Sequence, residues 1–176
     1  YEEDLDGNMI SGSGNSEITN TGGHVTIREG HVNPIDTSES GYVTINGGTV
    51  NRVRAEGNGA KEIQINGGTV INIWDNVGDL RITGGRVGQV INSGGTVTVT
   101  GGQVHRYYTG AAIQNESGTV IVSGGVILGY GSDSSKRSAA IENSEDGILP
   151  ITDGTLIGGN QNEATIENDG SLIIRD

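Results

Sequence analysis

Three short segments toward the C-terminal end hold the side chains whose grouping best suits recognition of a ligand. HRYYTG carries His105, Arg106, Tyr107 and Tyr108, GYGSDSSKRS carries Tyr130, Asp133, Lys136 and Arg137, and GGNQNE carries Asn160, Gln161 and Asn162. A tyrosine offers an apolar ring face to the C–H side of a pyranose and a hydroxyl to its polar rim, while Arg, Asn and Gln add planar polar contacts. The chain has five Tyr, one Trp and no Phe, so three tyrosines within this region stand out. Arg106, Tyr107, Tyr108, Tyr130, Arg137 and Asn160 are therefore candidate contacts for a glycan or a protein ligand. The plainer alternative is that Tyr107 and Tyr108 cover an edge and the remainder is solvated loop. Trp74, between Ile73 and Asp75, faces outward by alternation, either as a sugar-stacking ring or packed beneath the segment holding Arg52 and Arg54.

Carboxylates form the second group. Glu142 and Glu167 each precede an Asn in an I-E-N phrase, and Asp169 follows the second of these. If the phrases stack, the two glutamates repel unless water screens them or a cation lies between them. Ca²⁺, which takes six to eight oxygen ligands, is the metal that Glu142, Glu167 and Asp169 could hold, and a solvated acidic face is the simpler reading. No other cofactor is implied.

Composition narrows the classes further. With 10 basic and 22 acidic residues the formal charge is −12, which argues against nucleic acid or an anionic membrane surface as partner. No apolar run approaches the roughly 18 residues of a spanning helix, so membrane insertion is not expected. The absence of Cys excludes a disulfide framework, a thiolate metal site and a cysteine nucleophile.

These residues must be positioned by a repeat. YVTINGGTV from Tyr42, EIQINGGTV from Glu62, DLRITGGRV from Asp79, TVTVTGGQV from Thr96 and TVIVSGGVI from Thr119 are copies of one phrase. HVTIREGHV from His24 and ILPITDGTL from Ile148 are looser copies, and LDGNMI and SLIIRD are partial ones, with Asn8 read in place of the second Gly. Apolar residues alternate within each copy, the mark of a strand buried on one face, and Gly-Gly turns the chain after it. A single unit cannot bury its own apolar face, but stacked units share a core. The expected fold is all-β: one β-solenoid domain over residues 1–176, a single-stranded parallel β-helix of about 8 coils. The residue after each turn falls at Ile10, Val32, Val50, Val70, Val87, Val104, Ile127 and Leu156, giving coils of 17–29 residues. Right-handed winding is expected, since the coils lack the hexapeptide rhythm of left-handed solenoids.

A second recurring phrase, I-x-N followed closely by Gly, places Asn20, Asn92, Asn115, Asn143 and Asn168 at one corner, with Asp75, Thr37 and Ala55 in the same register. The expectation is an internal asparagine ladder whose buried amides bond one another along the axis. The link between the turn strand and the ladder strand lengthens over Val104–Ile113, Ile127–Ile141 and Leu156–Ile166, so the candidate ligand residues fall on insertions at one edge of the last three coils.

The phrases GTVTVTGGQV, GAAIQNESGTVIVSGG and AAIENSEDGILPITDGTLIGG resemble the glycine-rich repeats of large bacterial cell-surface and adhesin-like proteins with a pectin-lyase-like parallel β-helix. The resemblance covers nearly the whole chain and implies an extracellular or cell-surface segment of a longer bacterial protein, flanked by neighbouring domains of the parent chain. It also implies use as a stalk or as a module binding a polysaccharide or a host glycan or protein. Polysaccharide lyases and polygalacturonases share the fold, but the polygalacturonase-like set of N-x-D, an Asp-Asp pair, G-H-G and R-I-K is missing. A lyase-like base beside clustered carboxylates is not apparent either. A non-catalytic module is expected, with a ligand-free spacer as the first alternative and a polysaccharide-active enzyme as the second.

Overall fold

A computed structural model describes residues 8–9, 17–38, 40–56, 62–106, 110–129, 139–158 and 164–175. The period-2 segments all form strands, no described residue is helical, and every strand pair is parallel. Strands of the first phrase stack as one sheet: His24–Ile27 on Tyr42–Ile45, then Glu62–Ile65, Asp79–Ile82, and on through Thr96, Thr119, Ile148 and Ser171. The residues after the turn form a second sheet through Val32, Val50, Val70, Val87, Val104, Ile127 and Leu156. The ladder strands form a third, from Ile18–Asn20 to Ile166–Asn168. The result is a β-solenoid of about seven turns among the described residues. The count of about eight began at Ile10, which lies outside them.

The alternation sends one aliphatic side chain of every pair inward. Val43, Ile45, Ile63, Ile65, Leu80 and Ile82 from the first sheet, Val50 and Val70 from the second, and Ile35, Val53, Ile73, Val90, Ile113 and Ile141 from the third are sealed from solvent. Each such burial is worth roughly 1.5–3 kcal/mol, before the entropy of ordering the chain is charged against it. Ile166, at the last rung, is only partly covered.

Both corners require glycine for a steric reason. Gly68 has φ +72°, and a Cβ there would lie 2.7 Å from the backbone of Gly47, one coil earlier. At Gly147 a Cβ would lie 2.2 Å from Asn143 Oδ1 and 2.6 Å from Asn115 Nδ2. The second glycine phrase is thus coupled to the asparagine phrase: the stacked amides fill the space that a side chain would take.

The amides form a directional ladder. Asn76 Nδ2 donates to Asn92 Oδ1 at 2.8 Å, Asn92 to Asn115 at 2.8 Å, Asn115 to Asn143 at 2.6 Å and Asn143 to Asn168 at 2.8 Å. Each Nδ2 also donates to a carbonyl at its own corner, such as Asn92 to Gly95 O at 3.0 Å. An amide suits this place because it both donates and accepts. Asp75, expected on this rung, does not occupy it. The pairing shifts between Val90 and Asn92, Asp75 takes φ 54° as an exposed bulge residue, and Asn76 enters the ladder instead. Burying a carboxylate there carries a large desolvation cost, which the bulge avoids. Toward the N-terminus Asn20 Nδ2 reaches Thr37 Oγ1 at 3.4 Å. Ala55 presents no amide on the next rung, and Asn76 Oδ1 is buried without a hydrogen-bond partner among the described residues.

Asn8 is a second correction. It pairs with Val25 and Met9 with Thr26, which makes this segment a strand of the first sheet and not the turn. Its register is set by pairing with the following strand.

Asn115→Ala removes two ladder bonds and leaves Asn143 Oδ1 without its donor. We expect it to cost about 3 kcal/mol, read as a lowered urea midpoint. A loss under about 0.5 kcal/mol would mean that the ladder is ornamental.

Candidate ligand-recognition surface

The bases of the three insertions lie on one another. Arg106 pairs with Gly129 and Gly129 with Gly158, so the chain leaves the second sheet at the same corner on three successive coils. It re-enters in step as well: Val90 N–H donates to Ala112 O at 2.9 Å, Ile113 N–H to Ala140 O at 3.1 Å and Ala140 N–H to Thr165 O at 2.8 Å. Small residues are required at these bases. Ala111, Ala112, Ala139 and Ala140 are buried, and a Cβ on Gly129 would lie 1.9 Å from Ala139 O. The chain closes on itself at that point, which pins the base of the second insertion. Sequence reasoning missed these positioning residues, although the repeated A-A-I of GAAIQN and SAAIEN was the available signal.

Of the candidate contacts, Tyr107, Tyr108, Tyr130, Arg137 and Asn160 lie outside the described residues. Arg106 is half-buried at the root of the first insertion, its guanidinium packed near the Gly110 backbone, and its Nη1 is buried without a hydrogen-bond partner among the described residues. Burial lowers its pKa from the ordinary arginine value, while the side chain remains charged.

One residue earlier, His105 borders a shallow groove of about 300 Å³ lined also by Thr69, Ile71, Arg86 and Gly88. Glycine is required at position 88, because a Cβ there would lie 2.1 Å from Ile71 O on the neighbouring coil. Burial first, and then the charge of Arg86, lower the pKa of His105. Its folded pKa therefore lies below the ordinary 6.5, and the unfolded chain takes up this proton first as the medium is acidified. The stabilising contribution is complete above that ordinary value and is lost as pH falls through it toward the folded one.

Trp74 sits on the outer side of the third sheet, opposite Arg54, and is half-buried. The Arg52 guanidinium lies 5.3 Å from its ring centroid, a cation–π pair that occupies one ring face. Arg54 in turn pairs with Asp36 at 3.3 Å. Trp74 lies on the strand Thr69–Asn76, on a coil before those that carry the insertions, and is not brought to their corner.

The register does set Glu142 opposite Glu167. The Glu142 carboxylate accepts from Gln114 Nε2 at 3.2 Å, and Gln114 accepts from Gln89 at 2.8 Å, so Glu142 ends a row of amides, buried at Gln89 and half-buried beyond it, that the sequence reading overlooked. Asp169 is exposed at the following corner. Among the described residues no three His, Asp or Glu side chains converge on a point that would hold a metal ion.

No family model matches this chain, and neither a curated protein nor a solved structure matches it significantly.

Two outcomes follow from these electrostatics. Glu142→Gln extends the amide row and relieves the like-charge pair with Glu167, and it should raise stability by about 0.5 kcal/mol in urea unfolding. Arg86→Gln should move the His105 titration part of the way back toward the ordinary histidine range, measured on the ring Cε1 proton by NMR. An unmoved titration would remove Arg86 as a cause.

Proposed function

We propose that this chain is a non-catalytic extracellular module of a bacterial surface protein, adhesin-like, that binds a glycan or host ligand through the insertions of the last three coils. The observation that carries this reading is the stacking of the three insertion bases, Arg106 on Gly129 on Gly158, at one corner of an otherwise regular solenoid. A rigid scaffold that diverges from its repeat on consecutive coils at one place follows the general pattern of binding loops. The composition of the insertions, tyrosine with Arg, Asn and Gln, supports a sugar or a polar protein epitope as the ligand. The amide run from Asn76 to Asn168 and the aliphatic core would, on their own, favour a stalk without a ligand, and that is the second reading.

The test is a broad glycan array probed with the purified chain, with and without Ca²⁺, beside a Tyr107→Ala/Tyr108→Ala/Tyr130→Ala variant whose β-sheet circular dichroism matches the parent. Binding that falls at least about tenfold in the triple variant supports recognition through the insertions. Dependence on Ca²⁺ would bring in Glu142, Glu167 and Asp169. Absence of binding favours the stalk, and release of oligosaccharides or unsaturated products from a polysaccharide would replace both readings with an enzyme.

A further inference from the structure

We propose that the outer face of the first sheet carries a separate binding site, a shallow subsite for one neutral pyranose centred on Tyr42. It lies on coils before those bearing the insertions and shares no residue with them. Coil stacking assembles it from three segments: Tyr42 lies opposite His24 on one side and Glu62 on the other, and Thr44 lies opposite Gln64. Neighbouring strands are about 4.8 Å apart, so side chains some 20 residues apart in sequence become a compact polar and aromatic grid. Together His24, Tyr42, Thr44, Glu62 and Gln64 line a depression of about 280 Å³. This is at the lower edge of the roughly 300–1,000 Å³ of small-molecule pockets, room for one sugar ring.

The grid is held in place before any ligand arrives. The His24 ring packs against Tyr42 at 5.7 Å between centroids and 47° between planes, and His24 Nε2 lies 3.1 Å from Thr44 Oγ1. Tyr42 is thereby supported from one side and keeps 37% of its surface exposed. From the coil beyond, Arg81 Nε meets Glu62 Oε1 at 2.8 Å. An exposed pair of this kind adds little stability, but it orients the carboxylate. A carboxylate has about four acceptor positions, so one ion pair leaves Glu62 able to accept from sugar hydroxyls. The Gln64 amide both donates and accepts. An aromatic face beside a fixed carboxylate and an amide matches the apolar C–H face of a pyranose flanked by vicinal hydroxyls. Glu62 and the −12 charge of the chain oppose a uronate or a sialylated ring, which selects the neutral sugars.

The experiment titrates the full chain, ¹³C-labelled in its tyrosine rings and ¹⁵N-labelled in its backbone, with methyl glycosides of neutral hexoses and N-acetylhexosamines. Glucuronic acid is the anionic control. The expected result is millimolar binding of at least one neutral pyranoside, with shifts at the Tyr42 ring and the Glu62 and Gln64 amides. Binding should weaken about tenfold in Tyr42→Ala and clearly in Glu62→Gln, both of which keep a dispersed amide spectrum because the altered side chains point outward. It should persist in the Tyr107→Ala/Tyr108→Ala/Tyr130→Ala variant, which separates this site from the insertions. No shift at Tyr42 with any neutral sugar, undiminished binding in both single variants, or equal binding of glucuronic acid would overturn the proposal.

Discussion

The structure depends on one steric and polar fit: from Asn76 to Asn168, a side-chain amide from one coil occupies the space beside a glycine of the next. Asn115 Nδ2 lies 2.6 Å from where a Cβ on Gly147 would be, and Asn76 Nδ2 lies 2.7 Å from the corresponding point on Gly95. The glycine admits the amide, and the amide satisfies carbonyls that the turn leaves unpaired in the interior. The three sheets, the aliphatic core and the spacing of the outer side chains all follow from repeating this fit at a constant rise.

Much of this was legible in the residues. The alternation of Val43 with Ile45, or Leu80 with Ile82, identifies strands buried on one face, and the recurrence of Gly-Gly identifies the turn. What could not be read was the register where the repeat is imperfect. Counting along INIWDN places Asp75 in the ladder, and only the bulge, a property of how this strand pairs with the next, moves Asn76 there. The position of Asn8 failed for the same reason, since pairing partners and not local sequence determine it. At the insertions, composition pointed to recognition, but the pinned bases depend on close approaches at Gly129 and Ala139 that appear only in three dimensions. The Tyr42 grid escaped notice because its members are ordinary outward repeat positions, scattered along the chain and joined only by stacking.

The outer faces use the same geometry for different ends. Gln89, Gln114 and Glu142 form one polar row, and Asn46, Asn66 and Thr83 another, with Asn66 Nδ2 donating to Asn46 Oδ1 at 2.9 Å and Thr83 Oγ1 to Asn66 Oδ1 at 2.8 Å. Substituting an outward residue changes a surface without disturbing the core, whereas substituting an inward one disturbs two neighbouring coils. Recognition can therefore diversify on this scaffold at little cost to the fold.

Ala55 interrupts that regularity. Because it presents no amide, the run from Asn76 to Asn168 is continuous and the run from Asn20 to Thr37 is cut off from it. In a solenoid whose coils touch only their neighbours, such a gap weakens one interface relative to the rest. Under tension along the axis, the molecule would behave as two segments in series, a short one that peels away first and a longer one that resists, with a defined stopping point between them.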